Sequence, residues 1–274
     1  MNKTYLYILF CLVLFSSCAS SSYYQLYEVK PTQKSLSIDD DLIYEDANCK
    51  IFYNFWSNGG DAGFDFYNKT DEDIYLLLDK SNFILNGVAY DYFKNREFSE
   101  SKKKSLAVSK SGYYKKGEAI GGIGEGFQYG NSVKIIEDSI IRIPAGTQKS
   151  ISEYLINNSL VRNCDLPRYP RTKKDVRNSN FDELTTPFVF GNLVRYRHNG
   201  KLYSVKNNFY VSKITNYNYN DFTYQKYDEL CGLKKIYPTS YFRYSKPTNF
   251  YIKYSIEQTT SYHGNYKPYD NHKN

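Results

Sequence analysis

Histidine is scarce, with three residues in 274, at positions 198, 263 and 272, and no two cysteines stand in a C-x-x-C pair. Zinc sites draw on such groupings, so no metal site is expected. Nucleophilic catalysis needs Ser or Cys beside His and an acid. His263 and His272 lie close to the C-terminus and His198 reads as a hairpin tip, so no catalytic residue is assigned. Gly121-Gly122-Ile123-Gly124-Glu125-Gly126 is glycine-rich, but its spacing is not that of a dinucleotide loop and no P-loop Lys-Ser or Lys-Thr follows. It reads as a plain loop, and no cofactor is expected. The net charge is only +7, from 36 basic and 29 acidic residues. That falls short of the basic density of nucleic-acid binders, so no nucleic-acid partner is expected. Long apolar runs are missing too. The best, Tyr5 to Phe15, has 11 residues, against the roughly 20 that span a bilayer.

That short run is nevertheless informative. Met1-Asn2-Lys3-Thr4 carries positive charge, the apolar run follows, and Ser16-Ser17-Cys18 ends it. Charge, apolar core and small residues before a processing point are the pattern of a secretory signal. The cysteine directly after two small residues points to a bacterial lipoprotein signal over 1–17, with Cys18 the acylated first residue of the mature chain. Phe15 stands where such signals usually carry Leu, and an ordinary signal cleaved elsewhere is the competing reading. Acyl chains contribute about 0.8 kcal/mol per buried CH₂, and more than one gives stable attachment. Residues 18–22 then form a short tether. Ala19 is not the aspartate that retains lipoproteins in the inner membrane, which favours the outer membrane. Residues 19–23 carry no acidic surface-export cluster, which favours the periplasmic face, with surface exposure as the alternative.

The chain is rich in Tyr (31) and Phe (17). These residues favour strands and half-buried surfaces, with the Tyr ring packed and its hydroxyl wet. A low-GC genome inflates Tyr, Asn and Lys as well. Alternating stretches at 23–29, 49–56, 63–68, 74–78, 83–85 and 88–93 read as strands, with Asn-Gly turns at 58–59 and 86–87. Residues 99–132, rich in Ser, Lys and Gly, read as a mobile excursion. Strands resume at 133–136 and 139–143, and Ile151 to Ile156 could close the sheet pair. Residues 181–184 suggest a helical turn. Segments 188–190 and 193–197 precede a hairpin at Asn199-Gly200, and strands follow at 202–205, 209–217 and 250–254. Short strands with frequent turn signals predict an all-β fold, an immunoglobulin-like β-sandwich. The expected division is a sandwich at 23–160, a basic linker with prolines at 161–180, a second β-rich region at 181–258 and a disordered tail at 259–274. The two β regions also admit a reading as one continuous body.

Three cysteines remain after Cys11 and Cys18 are set aside. Cys164 and Cys231 sit in loop-like settings and are the expected disulfide; Cys49 sits in a strand and reads as a buried thiol. The acidic stretch Asp39, Asp40, Asp41, Glu45 and Asp46 lacks calcium-loop spacing and reads as a solvated turn, as does Asp71-Glu72-Asp73. Arg168, Arg171, Lys173, Lys174 and Arg177 form a basic run that could meet anionic lipid or lipopolysaccharide phosphates. Asp138-Ser139-Ile140 matches a short O-glycosylation pattern at Ser139.

Tyr53 to Phe64 (YNFWSNGGDAGF), Asn68-Lys69-Thr70-Asp71, Ser81 to Gly87 (SNFILNG), Ile143-Pro144-Ala145-Gly146 and Phe209-Tyr210-Val211-Ser212 together resemble uncharacterised envelope lipoproteins of Bacteroides-type bacteria. The resemblance implies a β-sandwich lipoprotein and assigns no activity. The expected function is a membrane-anchored, non-catalytic module that binds a protein or glycan partner through exposed Tyr, or a purely structural envelope component. The alternative is an enzyme acting on envelope glycans through a carboxylate pair. An acidic cleft would favour the enzyme, and an exposed aromatic patch the binding module.

Overall fold

The computed structural model describes residues 22–33, 37–38, 41–104 and 129–256. Cys18, Asp39, Asp40, the Gly121–Gly126 stretch and the tail from 259 fall outside them. The strands are β1 (Ser22–Pro31), β2 (Ser37–Ile38), β3 (Asp41–Glu45), β4 (Cys49–Tyr53), β5 (Phe64–Asn68), β6 (Ile74–Leu77), β7 (Asn82–Leu85) and β8 (Val88–Asp91). A long ribbon follows, β9 (Glu97–Lys104) with β10 (Tyr129–Ile136), then β11 (Ile140–Ile143), β12 (Gln148–Ile151) and β13 (Asn178–Asn180). The chain continues with β14 (Val189–His198), β15 (Lys201–Asn218), one helical turn α1 (Tyr219–Phe222), β16 (Thr223–Lys226), β17 (Glu229–Leu230), β18 (Leu233–Lys234), β19 (Thr239–Phe242) and β20 (Asn249–Ser255).

These strands form an all-β, sandwich-like fold of curled antiparallel sheets. The larger sheet runs β11-β6-β14-β15-β1-β20, with β13 also on β15 and the β7–β8 hairpin on β14. The smaller runs β12-β5-β4-β3-β2. Period-two alternation decides which faces meet. In β4 Cys49, Ile51 and Tyr53 are buried while Lys50 and Phe52 are only partly covered, and β5 repeats the pattern with Phe64, Phe66 and Asn68. Their rings meet Tyr196 and Phe209 of the larger sheet, with Phe66 and Tyr196 centred 5.3 Å apart and Tyr53 and Phe209 4.9 Å apart. Gly191 leaves no room for a Cβ, which would meet the Asn207 carbonyl at 2.2 Å, so β14 and β15 approach there as only glycine allows.

Several expectations change. Strands from both sides of 161–180 share one sheet: β1 pairs with β15 and β20, and β14 pairs with β6 and β7. The 23–160 and 181–258 regions are therefore one body, since the larger sheet and its main core draw on both. Residues 202–205 and 209–217 are parts of a single strand, β15, and the two segments before the hairpin are one strand, β14 (Val189–His198). Part of the expected excursion at 99–132 is ladder, Glu97–Lys104 on Tyr129–Ile136. Residues 181–184 form a turn held by Asp182 Oδ1, which accepts from the amides of Leu184 and Thr185 at 3.0 and 2.9 Å; the helical turn lies instead at Tyr219–Phe222. Asn58-Gly59-Gly60 does turn the chain, with Gly59 at φ 92° and the Gly60 amide donating to Ser57 O at 3.3 Å, and β4 and β5 pair as expected. The turn belongs to a wide connection in which Asn58 bridges to Tyr251 and Asp61 to Leu155.

Candidate functional site

A carboxylate pair does exist among the described residues, and its geometry argues against catalysis. Arg96 Nη2 donates to Glu137 Oε1 at 2.6 Å, and Nη1 and Nη2 donate to Glu153 Oε1 and Oε2, both at 2.8 Å. Lys94 Nζ adds a bond to Glu153 at 2.7 Å. Glu137 also accepts from the amides of Lys94 and Arg96, both at 3.0 Å, so it closes the base of the β9–β10 ribbon. The guanidinium bond, ahead of the amide bonds, holds the Glu137 carboxyl down at about 2, and Arg96 likewise lowers Glu153. Two-carboxylate glycoside hydrolysis requires one of the pair to carry a proton at neutral pH. Both groups here are held ionised, with Arg96 between them and Lys94 on Glu153.

Beside this clamp stands an aromatic platform. Tyr154 is half-buried, its hydroxyl donating to the Asp91 carbonyl, with Lys94 Nζ 4.5 Å from its ring centre. Its ring stacks on buried Phe83 at 5.4 Å and lies 5.8 Å from Tyr90. Tyr90 is 40% exposed and Val88, next on the same strand face, 53%. The β7–β8 hairpin places them: Asn86-Gly87 take φ of 49° and 83°, as a primed turn demands, and alternation sends Val88 and Tyr90 to one side. An exposed ring, Tyr90, backed by packed aromatics and neighboured by Lys94 suits stacking against a sugar ring or burial under a protein partner.

A cleft of about 240 Å³ lies between β1, β15, β20 and residues 160–168. Gln25, Asn163, Asn216, Arg162, Arg168 and Tyr254 give it polar lining, and no carboxylate lines it. Its amides already have internal work. Gln25 Nε2 donates to Val161 O and Asn216 Oδ1, both at 2.9 Å, and Asn216 Nδ2 to Pro167 O at 3.0 Å. The cleft is where residues 160–168 are clamped onto the sheet.

Other residues singled out by sequence land as follows. Cys164 edges this cleft and Cys231 tips the β17–β18 turn; both are exposed free thiols, so the expected bridge is not formed. Cys231 stands where it does because Cys231-Gly232, with φ of 51° and 78°, makes that turn. Cys49 is buried as expected, and burial raises its thiol well above its usual range. Ser139 is half-buried between exposed Asp138 and Ile140, its carbonyl taken by the Leu78 amide at 2.8 Å. Asp46 is an internal cap, accepting from the Asn48 and Cys49 amides, both at 2.8 Å. Glu45 pairs with Lys50 and Lys69. Among the described residues no cluster of His, Cys, Asp or Glu could hold a metal ion, and no helix is long and apolar enough to cross a membrane.

Sequence reading missed the platform and the β16–β19 hairpin. Their tyrosines do not differ in sequence from those of the core. The chain matches no family model, no curated protein and no solved structure.

Proposed function

We propose that this is a lipid-anchored envelope module, acylated at Cys18, held on the outer membrane and facing the periplasm, which binds a glycan or protein partner and performs no chemistry. The observation that carries the binding reading is the pairing of opposites at one place. Glu137 and Glu153 are locked by Arg96, while beside them Tyr90 stays 40% exposed on the half-buried Tyr154 ring. An enzyme site would reverse this, with free, proton-carrying acids and covered walls.

The test uses the purified mature chain against immobilised peptidoglycan fragments and outer-membrane polysaccharide. Tyr90→Ala removes an exposed ring and leaves the core intact. Binding that weakens about tenfold, or ~1.4 kcal/mol, supports the platform. Release of new reducing ends that Glu153→Gln abolishes would replace the binding module by the enzyme. Digestion of intact beside opened cells reads which face the chain occupies.

A further inference from the structure

The hairpin at 223–242 is an oddity in a well-covered fold. β16 pairs with β19, β17 with β18, and neither ladder joins either large sheet. Its base is fixed by rings. Phe222 is fully buried and stacks on Tyr24 at 4.4 Å, with Phe242 at 5.6 Å and Tyr251 at 5.8 Å. Its outer part is fixed by Asp228, which accepts from Tyr241 Oη at 2.5 Å, Thr239 Oγ1 at 2.7 Å and Lys235 Nζ at 2.9 Å. This held frame puts apolar side chains into solvent: Leu230 is 75% exposed, Leu233 77%, Ile236 85% and Tyr237 80%. Four large apolar groups within eight residues, offered by a braced frame, mark a contact surface.

Two further observations name what covers it. The hairpin springs from the end of the sheet where β1 begins, since Tyr23 pairs with Asn218, the residue before α1. Ser22 is four residues from Cys18, and four residues reach at most about 14 Å. Exposed cations gather at the same end. Arg171, Lys173, Lys174 and Arg177 are all exposed, and the Arg171 carbonyl faces Asn218 Nδ2 at 3.5 Å. The hairpin adds exposed Lys226, Lys234 and Arg243, against exposed Glu229 and the already engaged Asp228. Apolar tips flanked by Tyr, Lys and Arg are the composition of a segment lying in a membrane interface.

We propose that the 223–242 hairpin is a second membrane contact. Its tip enters the interfacial layer of the bilayer that holds the Cys18 anchor, and the 171–177 cations meet anionic headgroups. The inference rests on the anchored reading for its orientation, and its test does not need the lipid.

The chain from Ala19 onward keeps every described strand and carries no acyl group. It is floated with vesicles of phosphatidylethanolamine and phosphatidylglycerol, and with phosphatidylcholine alone. The parent should float with the anionic vesicles. Leu233→Asp with Ile236→Asp, both at exposed positions, should lower the bound fraction about tenfold. Lys173→Glu with Lys174→Glu should weaken binding at low salt and flatten its salt dependence. A parent that stays unbound, or a tip variant that floats as well as the parent, overturns the proposal. So does a photocrosslinker at Ile236 that captures one envelope protein and no lipid. Palmitate labelling of wild type beside Cys18→Ala reads the anchor separately. Label without vesicle binding sinks the hairpin contact alone, and vesicle binding without label sinks the anchor alone.

Discussion

Two aromatic clusters among the described residues are built on different terms. Between the sheets, Phe209 is fully buried and meets Tyr53, Phe55 and Phe190 at 4.9, 5.0 and 5.6 Å. Strands on both sides close that cluster, and the Tyr53 hydroxyl is answered inside it, accepting from Asn207 Nδ2 at 2.8 Å. On the outer face of the large sheet, Phe222 is as deeply buried, yet its neighbours Trp56, Tyr217, Phe242, Tyr244 and Tyr251 are only partly covered. Their lid is a helical turn and a two-stranded hairpin, an arrangement that is marginal without outside support. Equal burial of one ring therefore does not mean equal membership in the cooperative unit.

Paired truncations break or sharpen this contrast. Phe209→Ala should cost about 3–5 kcal/mol and lower the urea midpoint seen by every probe. Phe222→Ala removes the same ring, but the loss should stay local. Trp56 is the only tryptophan and sits in the outer cluster, so its emission should shift, and amides of 223–242 should exchange faster while β14 and β15 keep their protection. If both variants lower the global midpoint alike, the two clusters are one unit. Next in size, Tyr53→Phe keeps the ring and strips the hydroxyl from the Asn207 amide. A buried donor left without its partner should cost about 1–3 kcal/mol in urea unfolding, with Trp56 emission unchanged in the folded state.

The smallest effect is electrostatic and touches neither cluster. Glu137 is lowered in the folded chain from an ordinary 4.5 to about 2 by Arg96. A carboxyl depressed on folding stabilises fully above its unfolded value and loses that contribution as pH falls through the folded one. Acid should therefore loosen the base of the β9–β10 ribbon between about pH 4.5 and 2 while both ring clusters persist. Glu137→Gln should be weaker than the parent at neutral pH and flatter across that window, read as ribbon amide exchange against pH.

Strands written in alternation, such as 49–53 and 64–68, were readable from the chain because period two is a local signal. Primed turns at Asn86-Gly87 and Asn199-Gly200 were readable for the same reason, and both pairs take positive φ. The unity of β15 was not. Asn207-Asn208 looks like a break, since asparagine is depleted in strands. It is tolerated because Asn207 faces Asn192 across the ladder and finds Tyr53, 154 residues earlier. The single body was hidden likewise, because β1 finds its partners near the other end of the chain. Of the candidate surfaces, the abundance of Tyr announced contact chemistry without saying which rings stay wet. Tyr27 and Tyr90 lie in similar alternating stretches, yet one is sealed and the other exposed, because sheet partners decide it. The Arg96 clamp joins residues 41 and 57 positions apart, a relation that spacing does not write.

The place of β1 also sets a timetable. It lies between β15 and β20, hydrogen-bonded on both flanks, and β20 ends at Ser255. Of the described strands, the first to be made is thus among the last to acquire both its neighbours. Until Ser255 has been made, the sheet cannot close around it, and contacts of such sequence separation form slowly. β1 therefore passes most of the making of residues 22–255 with neither flank paired, since β15 begins only at Lys201.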